Sequence, residues 1–439
     1  MRCGCTPFCN PTPIETIEND YILQNAGNML YSYGITRTLM TSSNDIFTPT
    51  RGNLYEVSPH KINEKYDLFV IPMADAFRAD YADQLEVYTK LINSLKIPCV
   101  LIGAGLKAPI GYNINDGFSF DKQVKGFVKA ILNKSATVGV RGQSTADYLT
   151  KLGFKEGRDH VVIGCPSMYT FGRQLTIRET DINENSRVCV NSSVRSPQKL
   201  LDFIDDSIKK FPDHYFIPQL TNELKTVYAG IPYKALKKVK YHRDISDPLY
   251  SENKTRFFIN VPSWLDFLKQ ADFSFGARLH GNIAATLAGT PSIMFVKDER
   301  MNELALYHGL SHVTAEQVYK AKDIFELIEK ADFKSPERKQ RENFDRYIDF
   351  LDKNGIDHIY KSDRDRKTAP FDEAIKKIDF ASGVGPICAA SLKEQSKRLD
   401  IYNAYQERLL AEAKDNYFNL TGKFKKFGPI FTLAKKILK

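Results

Sequence analysis

The sequence of 439 residues lacks any apolar run near the ~20 residues that a membrane-spanning helix needs. Its first residues, MRCGCTPFCNPTPIE, contain no apolar stretch, so we expect no secretory signal peptide. Hydrophobic residues make up 42% and charged residues 26%, which excludes a disordered, collagen-like or coiled-coil chain. We therefore expect a cytoplasmic protein with two domains of ~150–200 residues and an extension.

Cysteines are few and scattered, which argues against a disulfide framework. Four of the seven lie far apart in the chain: Cys99, Cys165, Cys189 and Cys388. Scattered thiols in a large chain indicate reduced cysteines and an intracellular protein. Cys3, Cys5 and Cys9 cluster, but they supply three ligands where a closed zinc site takes about four. We interpret this cluster as a loose, reactive N-terminal segment and expect no metal.

An evenly basic surface is also absent, although the net charge is +9. Residues 423–439 hold six lysines and no acid, which leaves three of the nine net charges for the other 422 residues. This distribution excludes a broad nucleic-acid surface. Apolar residues recur there at steps of three and four: Phe424, Phe427, Phe431, Ala434 and Leu438. The pattern is typical of a short helix on an anionic membrane surface. A frayed tail or a helix docked on the body stay open as alternatives.

Buried-strand patterns alternate with helical patterns in two successive stretches of the chain. Strands are predicted at 66–72, 99–102, 137–140 and 161–163, and again at 187–191, 214–218, 271–275 and 292–296. Such alternation indicates parallel sheets covered by helices, so we predict an α/β fold. From about Ile324 the sequence becomes charged and helix-like. The predicted domains are 1–175, 186–323 and a helical extension, 324–439, with a basic amphipathic end.

The most informative segment, residues 275–310, joins a strand end to a helix start. Arg278, His280 and Gly281 follow that strand. We therefore expect them at the carboxyl edge of a sheet, where open α/β folds bind ligands. A helix N-terminus favours an anion, an arginine can grip it through two hydrogen bonds, and a glycine permits close approach.

Two further cations, Lys297 and Arg300, follow the next predicted strand and return to the same edge. The expected pocket suits a small substrate with two anionic groups. Each residue also has a structural interpretation that the sequence leaves open. His280 could support the turn, Arg278 could pair with an acid, and the two later cations could belong to a solvated loop.

This segment resembles the signature of the polysaccharide pyruvyl transferase family. The family pattern is an Arg-x-His-Gly turn, a small-residue helix, a Gly-x-Pro, a strand, and a basic residue about twenty positions past the histidine. Here it reads Arg278-Leu279-His280-Gly281, Gly289-Thr290-Pro291 and Arg300. Other pieces resemble the family's glycine turns and second arginine region: NAGN at 25–28, IGAG at 102–105, VRGQS at 140–144 and GCPS at 164–167. The resemblance covers residues 20–315.

The resemblance implies phosphoenolpyruvate as donor and a sugar diol of a surface polysaccharide, such as an exopolysaccharide or capsule, as acceptor. The products are a cyclic pyruvate ketal and phosphate, and no step requires a metal or cofactor. It also implies two Rossmann-like domains in a GT-B-like arrangement. Arg141, Arg278 and Arg300 would hold the donor's carboxylate and phosphate. His280 would transfer protons with a pKa near neutrality, or would only hydrogen-bond the phosphate.

One departure from the family pattern concerns the general base. Many members carry aspartate after the N-terminal glycine, whereas this chain has Asn28, which cannot act as a base. Either another group such as Asp75 does that work, or the acceptor chemistry differs. Asn28 is equally well interpreted as part of a helix-capping turn, and Asp75 as a solvated loop carboxylate. The acceptor is expected against the N-terminal half, where Asn25, Asn28, Asp75 and Arg78 are the candidate contacts.

Three functions stay open at this point. The first is a pyruvyl transferase acting on a lipid-linked glycan at the inner face of the membrane, a location that the basic C-terminus fits. The second is a GT-B nucleotide-sugar glycosyltransferase. The third is a non-catalytic scaffold of polysaccharide assembly, which Asn28 keeps open.

Overall fold

The computed structural model describes residues 4–49, 58–233 and 240–425, with side chains described as far as residue 415. The strands are β1 Phe69–Pro72, β2 Cys99–Ile102, β3 Val138–Val140, β4 His160–Val162, β5 Val188–Asn191, β6 His214–Phe216, β7 Phe273–Gly276, β8 Ser292–Val296 and β9 His312–Thr314. The helices of the first half are α1 Pro13–Asn19, α2 Gly27–Leu39, α3 Pro59–Lys65, α4 Ala82–Ser94, α5 Asp121–Leu132 and α6 Gln143–Lys151.

The helices of the second half alternate with β5–β9 and then continue without strands. They are α7 Gln198–Ile208, α8 Thr221–Ala229, α9 Pro248–Ser251, α10 Val261–Leu268, α11 Leu279–Leu287, α12 Glu299–His308, α13 Ala315–Lys320, α14 Ile324–Glu329, α15 Ser335–Lys353, α16 Pro370–Lys376 and α17 Leu392–Lys425. Within the described ranges, no helix combines the length and the apolar character needed to cross a membrane.

The N-terminal unit is built on four short parallel strands. β1 pairs with β2 and β3 pairs with β4, and a bridge between Ala104 and Val140 joins the two pairs. β2 is buried along its whole length because helices cover both faces, which explains its continuous apolar sequence. The core of this unit runs from Ile62 to Phe154 and includes the facing sides of α4 and α5.

The C-terminal unit contains a five-stranded parallel sheet in the order β6-β5-β7-β8-β9. The chain moves outward from β5 in both directions, so the switch point of this sheet lies between β5 and β7. Ligands of open α/β sheets bind outside the carboxyl ends of the strands at such a point. The topology therefore places the ends of β5 and β7, Asn191 and Gly276, beside the expected binding crevice.

The two units meet through their carboxyl strand edges. Asp75, which follows β1, pairs with Arg300, which follows β8. Thr145, which follows β3, hydrogen-bonds Glu303 of α12. The predicted α/β class, parallel sheets, facing units and helical C-terminal region are confirmed. The domain limits stay a prediction, because α1 and α2 precede the N-terminal strands yet pack on the C-terminal unit.

A buried arginine connects α2 to the far end of the chain. The Arg37 guanidinium forms two hydrogen bonds to the Asp372 carboxylate, at 2.7 and 2.8 Å. It also donates to the Tyr360 hydroxyl and to the Thr170 carbonyl. The paired geometry suits a planar guanidinium and stabilises a charge that is 1% exposed. The first and last parts of the described chain are thereby joined in one core.

The helical extension packs on both units before it leaves the body. The Asn354 side-chain carbonyl accepts hydrogen bonds from the backbone N–H groups of Ala136 and Thr137, beside β3. Tyr402 of α17 is buried against α8, whereas Leu409 and Leu410 are exposed. The basic stripe predicted for residues 423–439 lies outside the described side chains, and Cys3 lies outside the described residues.

Candidate functional site

The close approach of the paired ends of β5 and β7 sets the position of Arg278. Gly276 has a φ of 145°, and a Cβ there would lie 1.7 Å from the Asn191 carbonyl oxygen, so this approach requires glycine. Two residues later, the Arg278 backbone N–H donates to the Asn191 side-chain oxygen at 2.8 Å. The strand end, the turn and the start of α11 are thus connected by one amide side chain.

The Arg278 guanidinium is held by a buried carboxylate that sequence analysis did not identify. Its Nε donates to the Ser192 carbonyl at 2.6 Å, and its Nη2 lies 3.4 Å from Glu223. Glu223 is 0% exposed and also accepts the backbone N–H groups of Gln219 and Leu220. Arg278 therefore does pair with an acid, and the pairing fixes it at the switch point. The signal for Glu223 was its place at the third position of α8, where a carboxylate caps a helix.

His280 is the second residue of α11 and is buried. The N-terminal glycine turn, residues 25–28, packs against it. A Cβ on Gly27 would be 2.8 Å from His280 Nδ1. On the other side, Nε2 is 3.9 Å from the Cys165 thiol. Burial, together with the charges of Arg141 and Arg300, lowers the His280 pKa to about 3. The imidazole is therefore neutral at physiological pH, which differs from the near-neutral pKa expected from sequence.

An ion-pair cluster crosses between the units at Arg300. Its guanidinium lies 2.9 Å from Asp75 and 3.3 Å from Asp298, and Arg78 lies 3.1 Å from the same Asp75 oxygen. Burial opposes the charge of Asp75, but Arg300 and Arg78 outweigh it and hold the Asp75 pKa below its usual value. Asp75 is therefore an ionised, paired carboxylate inside the site rather than a solvated one.

Arg141 is the most enclosed cation of the site. It is 1% exposed, and its Nε donates to the Gly103 carbonyl at 2.6 Å. Its Nη1, like Nε of Arg300, has no hydrogen-bond partner among the residues that the structure describes. Buried donors without partners are unfavourable, so both atoms favour an incoming acceptor.

Lys297 lies between the arginines at the end of β8. Its Nζ is 3.2 Å from the Ser196 hydroxyl. Burial, and then the neighbouring charge of Arg278, lowers the Lys297 pKa to about 7. Lys297 is therefore a cation that can lose its proton near neutrality, unlike the arginines around it.

The N-terminal turn uses its asparagines structurally. The Asn25 side-chain oxygen accepts the Gly27 N–H at 3.1 Å, and its backbone forms a bridge to Leu220 of the other unit. The Asn28 amide donates to the carbonyls of Ile22 and Leu23, at 3.0 and 3.2 Å. These bonds agree with the turn-stabilising interpretation of Asn28 and leave its proposed contact with substrate untested.

Two carboxylates of α12 cap a helix in the opposite unit. Glu299 accepts the Ser144 hydroxyl at 2.6 Å, and Glu303 accepts the Thr145 backbone N–H at 2.9 Å. Burial raises the Glu303 pKa to about 7. The N-terminus of α6, an anion-binding position by its dipole, is thus occupied from within the protein. The spacing of four residues between the two glutamates was the available sequence signal.

Replacing Glu303 by glutamine should flatten the pH dependence of stability between pH 4.5 and 7. The folded protein keeps the Glu303 proton up to about pH 7, whereas an unfolded glutamate loses it near 4.5. The stability that this group contributes is full below pH 4.5 and declines as pH rises through 7, with a maximum slope of about 1.4 kcal/mol per unit. Urea unfolding at pH 5, 6 and 7 measures the difference, and identical slopes in both proteins would contradict it.

Metal-ligating side chains do not cluster in the part of the chain that the structure describes. Among the described residues, no three His, Cys, Asp or Glu side chains are placed to hold a metal ion. The Cys5 and Cys9 thiols are hydrogen-bonded, which lowers the Cys9 pKa to about 6. The site instead combines Arg141, Arg278 and Arg300 with one neutral imidazole, an arrangement that can bind a small polyanion.

The comparisons with known proteins give one family and several distant structures. The profile described as polysaccharide pyruvyl transferase matches residues 20–299. No curated protein matches the chain. Similar solved structures include an uncharacterized Klebsiella pneumoniae protein, with 12% identity over 66% of this chain and 89% of that chain and a TM-score of 0.38. Anabaena Alr3699/HepE in complex with UDP and glucose is 15% identical over 71% of this chain and 83% of that chain, with a TM-score of 0.35. The S. aureus MnaA–UDP structure is 12% identical over 67% of this chain and 76% of that chain, with a TM-score of 0.36.

Proposed function

Because the chain belongs to the polysaccharide pyruvyl transferase family, we propose that it transfers pyruvate from phosphoenolpyruvate to a sugar diol. The product is a cyclic ketal on a surface polysaccharide precursor, and inorganic phosphate is released. The observation that carries this proposal is the convergence of Arg141, Arg278, Arg300 and His280 at the facing strand edges. The His280 pKa is lowered first by burial and then by the charges of Arg141 and Arg300, which places both arginines near the imidazole.

The cations match the charges of the donor. Phosphoenolpyruvate carries a phosphate and a carboxylate, and the unpartnered donors of Arg141 and Arg300 suit the more highly charged phosphate. Asp75 and Arg300 lie 2.9 Å apart in this structure, so the donor must compete with Asp75 for the Arg300 guanidinium. Lys297, with a pKa near 7, adds positive charge when an anion stabilises its protonated form.

His280 then transfers the proton that starts the reaction. A bound trianion offsets the charges of Arg141 and Arg300, so the His280 pKa rises from about 3 when the donor binds. The protonated imidazole delivers its proton to the methylene carbon, and a sugar hydroxyl attacks the adjacent carbon. Phosphate leaves, and the second hydroxyl closes the ring. The attacking hydroxyl loses its proton to a base, which passes it to the departing phosphate, and the ring-closing hydroxyl restores the proton on His280.

Asp75 is the proposed base for the attacking hydroxyl. When Arg300 turns to the donor, Asp75 keeps its ion pair with Arg78 but loses its strongest cationic neighbour, so its pKa rises toward that of a useful base. The acceptor then lies beside Asp75 and Arg78, on the side of the site where Asn25 and Asn28 form the turn. The lysine-rich stripe of residues 423–439 would hold the protein at the inner membrane face, near a lipid-linked acceptor.

Phosphoenolpyruvate should raise the thermal stability of the wild type and should fail to do so in Arg300→Ala. A ligand at about 100 times its Kd adds ~2.7 kcal/mol to the apparent stability. Arg173→Ala is a matched control, because Arg173 is also largely buried and also pairs with two aspartates, Asp345 and Asp365. It should keep the full shift.

The same titration separates the alternatives. Stabilisation by UDP-sugars without stabilisation by phosphoenolpyruvate would indicate a glycosyltransferase and contradict the proposal. Binding of phosphoenolpyruvate without release of phosphate, with all acceptors tested, would indicate the scaffold. Formation of a ketal with release of phosphate is the result expected here.

A further inference from the structure

Two side-chain amides border the first turn of α11. A Cβ on Gly281 would meet Nε2 of Gln219 at 2.7 Å and Nδ2 of Asn191 at 2.9 Å. Glycine at this position therefore brings the helix backbone against both amides. Asn191 ends β5 and Gln219 follows the end of β6 by three residues, so both amides meet α11 at the carboxyl edge of the sheet, beside its switch point.

Gln219 has a fixed backbone and an unpartnered side chain. Its N–H donates to Glu223 and its carbonyl accepts the Ala26 N–H, both at 2.8 Å. The residue is 1% exposed, yet in the described part of the chain its Nε2 has no hydrogen-bond partner. Nearly all buried polar groups in proteins are hydrogen-bonded, so an orphaned amide at a rigid position indicates a missing acceptor.

Two side-chain amide nitrogens and the first backbone N–H groups of α11 meet at this turn. The Asn191 oxygen accepts the Arg278 N–H at 2.8 Å, which leaves its amide nitrogen toward Gly281. Arg278 occupies the N-cap of α11 but offers no side-chain acceptor, so the first N–H groups of this nine-residue helix are uncapped. Neutral amide donors and a helix N-terminus together suit an oxygen with a single negative charge.

We propose that Gln219, Asn191 and the first turn of α11 form a carboxylate subsite. It is distinct from Arg141 and Arg300, which take the phosphate. The inference rests on the proposed function, since the carboxylate is that of phosphoenolpyruvate. Because neutral donors hold the carboxylate, Arg141 and Arg300 can stay with the phosphate as it leaves.

The test compares phosphoenolpyruvate with two smaller ligands: pyruvate, which has only its carboxylate, and inorganic phosphate, which has only its phosphate. Gln219→Met should weaken phosphoenolpyruvate and pyruvate about 10- to 100-fold, the loss of a hydrogen bond to a charged group, and should change the Kd of inorganic phosphate less than about twofold. The variant should be no less stable than the wild type, because it removes an unpartnered donor. Gln340→Met is the control: that amide donates to Met168 and Gly172, so its loss should lower stability and leave the ligand ratio unchanged.

Each other outcome has a defined meaning. Equal losses for all three ligands, or no loss for the carboxylates, would overturn the subsite. If pyruvate binding depends on Gln219 but phosphoenolpyruvate neither binds nor reacts, the subsite stands and the proposed function fails. If the wild type binds neither carboxylate, both fail. Calorimetric titration of the full-length protein gives each Kd.

Discussion

Replacing His280 by asparagine should lower the turnover number about 10²- to 10⁴-fold, the usual contribution of a general acid–base group. The donor should still bind, because Arg141, Arg278 and Arg300 are retained. The measurement is phosphate release at saturating donor and acceptor, together with the Kd of phosphoenolpyruvate. The His280 pKa, about 3 in this structure, should also rise in the donor complex, which NMR titration of the imidazole can follow.

His160→Asn is the matched control for this prediction. His160 is also fully buried with a lowered pKa, but it begins β4, so it lies at the sheet edge opposite the site. Its replacement should leave turnover unchanged. A His280→Asn variant with normal turnover would show that the imidazole only supports the turn, which is the structural interpretation that the sequence left open.

Replacing Glu223 by leucine should destabilise the protein by about 3–5 kcal/mol. The change removes the carboxylate from a fully buried pair and leaves the Arg278 charge without compensation. It also removes the acceptor of two backbone N–H groups and of the Tyr241 hydroxyl. Chemical denaturation measures the stability, and donor affinity should fall in parallel because Arg278 is no longer held in position.

A double variant separates charge from packing in this prediction. Arg278→Met combined with Glu223→Leu removes both charges, so it should be more stable than Glu223→Leu alone. Equal instability of the single and double variants would attribute the effect to lost packing and backbone bonds. A loss below about 1 kcal/mol in the single variant would contradict the role of the pair altogether.

The sequence predicted the parts of the site that are local. Arg278, His280 and Gly281 occupy a strand–turn–helix segment, whose geometry follows from a few neighbouring residues, and the family match confirms the resemblance. All eight predicted strands are present, although often shorter. β9 was missed because its sequence, His-Val-Thr, contains a single apolar residue and none of the three is fully buried, so it lacks the apolar run that marks the other strands.

The parts that were missed depend on distant contacts. Asp75 and Arg300 are separated by 225 residues, and no local pattern indicates that they pair. Glu223 and Gln219 belong to an ordinary strand–helix connection until the fold places them beside α11. The low His280 pKa has the same origin, since it depends first on burial and then on Arg141 and Arg300, all of which arise only in the tertiary structure.

The contact between Arg37 and Asp372 also sets an order of events during synthesis. The two residues are 335 positions apart, so at 5–20 residues per second roughly 20–70 seconds separate their appearance on the ribosome. The core of residues 62–154 can form in that interval, whereas α2 must wait with a charged, largely apolar surface exposed. α2 is therefore made before the core of residues 62–154 but completes its buried contacts after that core can form.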